Sequence, residues 1–297
     1  MNLSNSIKSH TLVILQKLII ILELSKLKLS ILVVFSAVFG FLLYPHQEFN
    51  FLTFFNLIIA GFLITAGSNI MNQIIEKETD KLMKRTLLRP LPSERISLQE
   101  SLVFSILFVF LGSLIFITQI NIKTFVLAIL SFLIYSFIYT PLKKKTPFAV
   151  AIGAISGAFP PMIGWIAASN KFGWEPGILF AIQFVWQFPH FWAIAWVLDD
   201  DYKKAGIRLL PGSGRNIETA FQIMIYTLPL LPLSIVPYLL GMSGWISMVI
   251  ALIMSVLFLI QTFNLMKNPS DKAAKKIMVI SFIYLPIIQI NFLIDKV

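Results

Sequence analysis

The chain has 297 residues, of which 57% are hydrophobic and only 13% are charged, and its mean hydropathy is +0.84. Soluble domains usually carry about 25% charged residues, so this composition excludes a soluble globular protein and indicates a polytopic membrane protein. The chain contains no cysteine, which excludes disulfides, thiolate metal sites and thiol nucleophiles.

Apolar runs of about 20 residues predict membrane-spanning helices. Nine such runs occur in chain order, at residues 29–44, 51–70, 101–119, 124–141, 147–168, 177–198, 217–240, 244–266 and 277–294. Residues 1–28 mix lysine with apolar residues and show no signal-peptide cleavage site. We therefore expect a cytoplasmic amino-terminal arm over residues 1–28 and a single all-α transmembrane domain over residues 29–297.

Lysine and arginine are divided very unequally between the two sides of these predicted spans. The amino-terminal arm and the loops after the even-numbered spans contain 21 of them, and the other side contains 3. This asymmetry places the amino terminus in the cytoplasm and the carboxyl terminus outside. The net charge of +10 thus reflects membrane topology, and we do not expect nucleic acid as a partner.

Three polar side chains at positions i, i+4 and i+8 follow the second apolar run: Asn72, Glu76 and Asp80. In a helix this spacing places them along one face. One amide and two carboxylates are hard oxygen ligands suited to Mg²⁺. Basic residues that would bind an anion come next: Lys77, Lys81, Lys84, Arg85 and Arg89. A solvated helix with i, i+4 charge pairs has the same pattern, but a position at the end of an apolar run favours a cavity site.

Two further polar clusters belong to the fourth and sixth runs. The fourth run ends in Tyr139, and Lys143 and Lys144 follow it, which indicates either anchoring at the membrane surface or contact with phosphate. The sixth run contains Trp186 and His190. Because His190 is the only one of the three histidines within a predicted span, it indicates either helix packing or contact with a ligand.

Acidic residues follow the sixth run directly, as Asp199, Asp200 and Asp201, and then come Tyr202 and Lys203. The acidic run predicts either a solvated turn or a second Mg²⁺ site. Because the second, fourth and sixth spans end on the same side, we expect all three clusters at the cytoplasmic face. Carboxylates, cations and an apolar body suit a lipid diphosphate, which Mg²⁺ would bridge to the carboxylates while lysine and arginine bind the remaining oxygens.

Several stretches resemble the signatures of the UbiA-type intramembrane prenyltransferases. They are Asn72–Pro92, Tyr139–Pro147, Gly157–Trp165, Trp186–Trp192 and Asp201–Ile207. Within them, Ala158–Pro161 and Pro189–Phe191 are similar to the haem-specific branch of that family. The resemblance covers roughly residues 22–295.

Three positions depart from the family pattern. Glu76 stands where the family usually has aspartate, which lengthens the ligand arm. The sequence Ser-Lys-Leu-Lys at residues 25–28 replaces the family's Thr-Lys-Pro-Arg. Val197 stands four residues before Asp201, so the second Asp-x-x-x-Asp motif of the family is not intact.

The resemblance implies a bundle of nine helices around a central cavity, in the cell inner membrane. It implies transfer of the farnesyl group of farnesyl diphosphate to a vinyl group of haem B, which gives haem O, with Mg²⁺ as cofactor. Membrane lipid and contact with a haem A synthase or terminal-oxidase assembly are further implied partners.

The site residues expected on this interpretation fall into three groups. The catalytic group is Asn72, Glu76, Asp80, Arg85 and Asp201. The metal ligands are Asn72, Glu76, Asp80, Asp200 and Asp201. The substrate-binding group is Lys81, Arg89, Tyr139, Lys143, Lys144, Trp186, His190, Tyr202 and Lys203.

Two alternatives remain at this point. One is the same enzyme class with another acceptor, such as a quinone precursor or chlorophyllide. The other is a small-solute transporter, which would place ionisable residues near the middle of the bilayer and would contain paired broken helices. Here the acidic residues cluster at one face, and the predicted spans contain almost no charge.

Overall fold

The computed structural model describes residues 15–45 and 48–297, and every regular element in these ranges is helical. The long helices of this part of the chain are α1 Leu27–Leu43, α2 Phe51–Asp80, α3 Leu98–Ile120, α4 Ile122–Leu142, α5 Ala149–Ser169, α6 Trp174–Val197, α7 Ile217–Leu239, α8 Trp245–Lys267 and α9 Asp271–Ile294. A further helix covers residues 15–24, and a short one covers Asp199–Lys204. The predicted all-α membrane fold is confirmed.

In the described residues, eight of the nine predicted spans correspond to helices that are long enough to cross a membrane. Helices α2 to α9 are long and apolar enough to cross a membrane, which gives eight spans in the described residues. Helix α1 has 17 residues, at the lower limit of the usual range of about 17–25. The ninth span therefore stays a prediction. The predicted amino-terminal arm lies partly outside the described residues, and its boundary at residue 28 also stays a prediction.

Helix α2 extends well beyond the predicted span, which ended at residue 70. It has 30 residues and is therefore about 45 Å long. Asn50 caps its first turn, because its side chain accepts a hydrogen bond from the Thr53 amide at 3.0 Å. One face of its last turns is polar and buried, whereas Glu78 on another face is exposed. This extension positions Asn72, Glu76 and Asp80.

Helix α4 ends in a wider turn that brings Thr140 toward α2. Residues Ile134–Tyr139 form a π-helical turn, and the Thr140 amide bonds to the Tyr135 carbonyl five residues earlier. Pro141 follows, and because proline has no amide hydrogen the regular α-helical bonding cannot continue through it. Single π-helical turns inside α-helices occur frequently at functional sites.

Helix α5 is the most buried of the predicted spans, and it packs closely against α1. Small residues make this contact possible. A Cβ atom added at Gly164 would collide with the Ala37 carbonyl oxygen, and one added at Gly40 would collide with the Pro161 carbonyl oxygen. The glycines therefore set the distance between α1 and α5, as small residues do in membrane helix pairs.

Candidate active site

Asn72, Glu76 and Asp80 lie on successive turns of α2, and all three side chains are buried. The Asn72 amide Nδ2 donates to Glu76 Oε2 at 2.9 Å and to Thr140 Oγ1 at 3.0 Å. The Asn72 Oδ1 accepts a hydrogen bond from Lys26 Nζ at 2.9 Å. One amide thus joins the beginning of α1, the end of α2 and the end of α4.

Each carboxylate of this cluster has a cation beside it. Lys143 forms a salt bridge with Glu76, and Arg89 Nη1 lies 2.7 Å from Asp80 Oδ2. The side chains of Glu76 and Asp80 are only 4% and 1% exposed. Burying a carboxylate is costly unless a charged or hydrogen-bonding partner compensates. The cations Lys26, Lys143 and Arg89 therefore belong to the same site as the two acids.

Two buried carboxylate oxygens of the cluster accept no hydrogen bond from the described residues. Asp80 Oδ1 is enclosed and has no hydrogen-bond partner. Glu76 Oε1 is also enclosed without a hydrogen bond, although the Lys143 ammonium group lies against it. Unsatisfied buried oxygens of this kind suit a bound cation, since Mg²⁺ binds through one or two carboxylates together with substrate phosphates and water.

The metal would depend on the Asn72 amide and on substrate oxygens as much as on acidic side chains. In the described residues, no group of three or more histidine, cysteine, aspartate or glutamate side chains is arranged to hold a metal ion. Two carboxylates, one amide and the oxygens of a diphosphate give Mg²⁺ the hard ligands that it prefers. The residues present therefore fit Mg²⁺ best when a phosphorylated ligand is bound with it.

Three cations face two carboxylates in this cluster, which leaves an excess of positive charge. Burial, followed by the nearby Arg89 charge, lowers the pKa of Lys26 to about 7. A bound anion would relieve this repulsion. A buried cluster with an excess of positive charge at the mouth of an apolar bundle therefore favours binding of an anion more than binding of a metal ion alone.

The loop after α6 meets this cluster through Asp201. The Asp201 Oδ2 atom accepts a weak hydrogen bond from the Arg85 backbone amide at 3.4 Å, across a separation of 116 residues. The Asp201 side chain is 18% exposed, and Lys204 Nζ lies 3.8 Å from it. This bond joins the short helix Asp199–Lys204 to the segment that follows α2, and the role of Asp201 as a metal ligand stays a prediction.

Asp200 does not join this arrangement. Its carboxylate is 78% exposed and pairs with Arg215, and this pairing lowers the pKa of Asp200. Arg215 also bonds Asp199 Oδ2 through Nε at 3.2 Å and both carboxylate oxygens of Asp271 through Nη1 at 3.2 Å. These bonds hold the short helix Asp199–Lys204 against the beginning of α9. The role of Asp200 as a metal ligand stays a prediction that this geometry does not favour.

The other predicted substrate-binding side chains divide into buried and exposed ones. Tyr139 is buried, and Lys143 Nζ lies 5.5 Å from the centre of its ring. Tyr202 is half-buried, and burial raises its pKa. The exposed members are Lys81, Lys144 and Lys203, and Arg85 of the predicted catalytic group is exposed as well. Of these, Lys81 pairs with Glu78 at 3.2 Å and Lys203 pairs with Asp199 at 2.6 Å.

His190 and Trp186 lie deeper in the bundle, between α6 and α9. The two rings are stacked with 4.4 Å between centroids and 19° between planes. His190 Nδ1 is 2.8 Å from Ser281 Oγ, and Trp186 Nε1 donates to the Ser281 carbonyl at 2.9 Å. These two rings thus contact each other and α9, and they lie apart from the Asn72 cluster.

Lys26, Thr140 and Arg215 are not among the predicted site residues, yet they contact them: Lys26 and Thr140 bond Asn72, and Arg215 bonds Asp200. Lys26 stands in the Ser-Lys-Leu-Lys segment at residues 25–28, in which Lys28 is exposed. The contact between Lys26 and Asn72 spans 46 residues, so local spacing could not reveal it. For Thr140, the adjacent Pro141 was the available signal of an irregular helix end.

An apolar cavity lies between α1, α2, α4 and α5. It has a volume of about 40 Å³, and its lining includes Val34, Gly61, Thr65 and Pro160. Thr65 precedes Asn72 by seven residues on α2, which corresponds to about 10 Å along the helix. The cavity therefore lies within the apolar part of the bundle, about two helical turns from the acidic and basic cluster.

Comparison with known proteins identifies the family of this chain. The model of the UbiA prenyltransferase family matches residues 33–285. A protoheme IX farnesyltransferase of Cytophaga hutchinsonii is 54% identical over 276 residues, which cover 93% of this chain and 96% of that protein. One of Flavobacterium psychrophilum is 43% identical over 282 residues, which cover 92% and 93%.

Solved structures show the same fold at lower sequence identity. A digeranylgeranylglyceryl phosphate synthase is similar with a TM-score of 0.80 and 24% identity, over 94% of this chain and 98% of that one. A UbiA homologue from Archaeoglobus fulgidus, bound to GPP and Mg²⁺, is similar with a TM-score of 0.64 and 16% identity, over 92% and 99%. The resemblance inferred from the sequence is thus confirmed, and this chain belongs to the UbiA prenyltransferase family.

Proposed function

We propose that this protein transfers the farnesyl group of farnesyl diphosphate to a vinyl group of haem B and so produces haem O. The observation that carries the proposal is the buried cluster of two carboxylates and three cations at the mouth of an apolar bundle. The similarity to two protoheme IX farnesyltransferases over more than nine-tenths of the chain supports haem B as the acceptor.

The polar cluster binds the diphosphate head of the donor in this proposal. Asn72, Glu76 and Asp80 would hold Mg²⁺, and Asp201 would contribute at a second metal position. When bound, Mg²⁺ neutralises negative charge that develops on the departing diphosphate. A UbiA homologue of known structure binds GPP together with Mg²⁺, which supports this metal.

The basic side chains stabilise the same leaving group without the metal. Lys143, Arg89 and Lys26 lie against the cluster and would donate hydrogen bonds to diphosphate oxygens as the allylic C–O bond breaks. The exposed set of Lys81, Arg85, Lys144 and Lys203 would guide the anion to the mouth by long-range attraction, which weakens in high salt. Tyr139 and Tyr202 would border the head group.

The apolar helices around this cavity would border the farnesyl chain. Breaking the C–O bond sends the electron pair to the diphosphate and leaves an allylic cation. The vinyl C=C of haem B donates its π electrons to that cation, and water then captures the new cation and loses a proton, which leaves a hydroxyl group. Because a dry apolar wall delays water until the carbon–carbon bond has formed, the cavity beside α2 favours this order of events.

His190 and Trp186 would bind the acceptor. His190 is a buried imidazole in a span, stacked on Trp186, and imidazole is a common axial ligand of haem iron. We further propose that the amino terminus is cytoplasmic and the carboxyl terminus external in the cell inner membrane, on the evidence of the 21-to-3 division of basic residues. Contact with a haem A synthase or a terminal-oxidase assembly is part of the proposal and rests on the resemblance alone.

The test is product formation by the purified full-length protein in lipid nanodiscs. Farnesyl diphosphate and Mg²⁺ are supplied with haem B, with a quinone precursor or with chlorophyllide, and the products are separated and identified by mass. We expect farnesylated, hydrated haem and no product with the other two acceptors. Product from a quinone precursor or chlorophyllide instead of haem would overturn the choice of acceptor, and no prenyl transfer to any acceptor would overturn the proposal as a whole.

A further inference from the structure

Ser281 is a buried residue of α9 whose single hydroxyl proton already has a partner. Its Oγ donates to the Met278 carbonyl, three residues earlier in the same helix, at 2.7 Å. Serine hydroxyls inside helices commonly bond back to a carbonyl of the preceding turn in this way. The side chain is completely buried, so water does not compete for this bond. The Ser281 oxygen is therefore left as an acceptor.

The neighbouring His190 must then supply the proton between the two side chains. His190 Nδ1 is 2.8 Å from Ser281 Oγ. A neutral imidazole carries its proton on one ring nitrogen, and the hydrogen bond made by that nitrogen determines which one. Because Ser281 Oγ uses its own proton on Met278, Nδ1 carries the imidazole proton, and Nε2 has a free lone pair.

The other ring nitrogen, Nε2, is not engaged by the protein. Within the described part of the chain it has no hydrogen-bond partner, and although His190 is buried, Nε2 is not fully enclosed. The ring of His190 stacks on Trp186 at a centroid distance of 4.4 Å and makes T-shaped contacts with Phe282 at 5.0 Å and Phe191 at 5.5 Å. None of these ring contacts is a hydrogen bond to Nε2.

Trp186 is fixed by the same α9 residue, since its Nε1 donates to the Ser281 carbonyl at 2.9 Å. Ser281 thus positions both rings, His190 through its hydroxyl and Trp186 through its backbone. Protein metal sites use this arrangement widely: a metal-binding histidine donates its other ring N–H to an oxygen, which fixes the tautomer and the ring orientation.

We infer that Ser281 is a positioning residue that fixes the tautomer of His190, so that Nε2 is the nitrogen that ligates the iron of the haem substrate. This inference rests on haem B being the acceptor in the proposed function. His190 touches the substrate, and Ser281 acts only through His190. Haem iron accepts a neutral imidazole nitrogen as an axial ligand.

The test measures haem binding by the purified full-length protein in nanodiscs, without farnesyl diphosphate. Ferric haem B is titrated, and the Soret and visible absorption bands report both affinity and the presence of a nitrogen ligand. We expect His190→Ala to lose the nitrogen-ligated spectrum and added imidazole to restore it. We expect Ser281→Ala to bind haem about 10- to 100-fold more weakly, as for other residues that orient a metal-binding histidine. Ser281→Thr keeps the hydroxyl and should restore the affinity.

Ser255→Ala is the matched control. Ser255 is also a buried helix serine that bonds back to a carbonyl, at 2.8 Å, but its side-chain neighbour is Tyr284 instead of a histidine. It should bind haem as the unaltered protein does. His190→Gln retains a polar side chain beside Ser281 and replaces His190→Ala if the alanine variant does not elute as a folded protein.

Two results would overturn the inference. One is a His190 variant that keeps the nitrogen-ligated spectrum, and the other is a Ser281→Ala variant with unchanged haem affinity. Failure of the proposed function looks different, because the unaltered protein would then form no farnesylated haem in the mass assay. If the unaltered protein forms that product and its bound haem shows no nitrogen ligand, the inference alone is wrong.

Discussion

Replacing Asp80 with asparagine removes the charge of the most enclosed carboxylate in the site and preserves its shape. Asp80 is completely buried, its Oδ2 pairs with Arg89 at 2.7 Å, and its Oδ1 has no hydrogen-bond partner. Loss of one group that stabilises developing charge costs about 3 to 4 kcal/mol of transition-state stabilisation, or roughly 10²- to 10³-fold in kcat. We expect Asp80→Asn to lower the rate of farnesyl transfer by that amount.

The assay is the initial rate of farnesylated haem formation at increasing Mg²⁺ concentrations. Glu78→Gln is the control. Glu78 lies two residues before Asp80 and carries the same charge, but its side chain is 76% exposed, and its salt bridge is with Lys81. An exposed pair of this kind contributes about 0 to 1 kcal/mol, so the control should react normally. If Asp80→Asn kept a kcat within about threefold of the unaltered enzyme at saturating Mg²⁺, the charge of Asp80 would not be part of the leaving-group site, and the reasoning would be refuted.

Three further changes test other parts of the structure. Lys26→Met removes the side chain that donates to the Asn72 amide oxygen, and the loss of one charged hydrogen bond should raise KM for farnesyl diphosphate about 10-fold. Lys28 is exposed, so Lys28→Met should leave KM unchanged. Equal KM values for the two variants would contradict the assignment of Lys26 to the site. Arg215→Met removes the bonds that hold the short helix Asp199–Lys204 against α9, and steady-state kinetics should show kcat/KM lowered about 10-fold. Unchanged kinetics would show that these Arg215 bonds are not needed for activity. Gly164→Ala would push α1 away from α5 and should lower the free energy of unfolding by about 1–3 kcal/mol, measured by thermal denaturation. Gly177 has open space around it, so Gly177→Ala should not lower the free energy of unfolding. A similar loss of stability in both variants would show that the close contact of α1 and α5 is unimportant.

The membrane helices could be predicted closely from the sequence, because apolar length is a local property. The predicted spans 51–70 and 217–240 correspond to α2 and α7, although α2 continues to Asp80. The continuation was harder to predict as a helix, since its residues are polar. One polar face of it, which carries Asn72, Glu76 and Asp80, is nevertheless buried, and the beginning of α1 and the end of α4 contact this face at Asn72.

The sequence predicted that acidic and basic residues gather at one face, but not how they pair. Asp201 bonds the Arg85 amide, whereas its neighbour Asp200 pairs with Arg215 and is exposed. These two aspartates are adjacent and chemically identical, so composition and spacing cannot distinguish them. The direction in which the short helix presents each side chain decides their environment.

By itself, the sequence determined an all-α membrane protein with its polar residues at one end, since hydrophobic length and charge asymmetry act locally along the chain. Only the tertiary structure decided that Lys26, Lys143 and Arg89 are the cations of the site. The physical reason is desolvation: once packing buries a carboxylate, a cation must accompany it, and which cation does so depends on the helix ends that meet there.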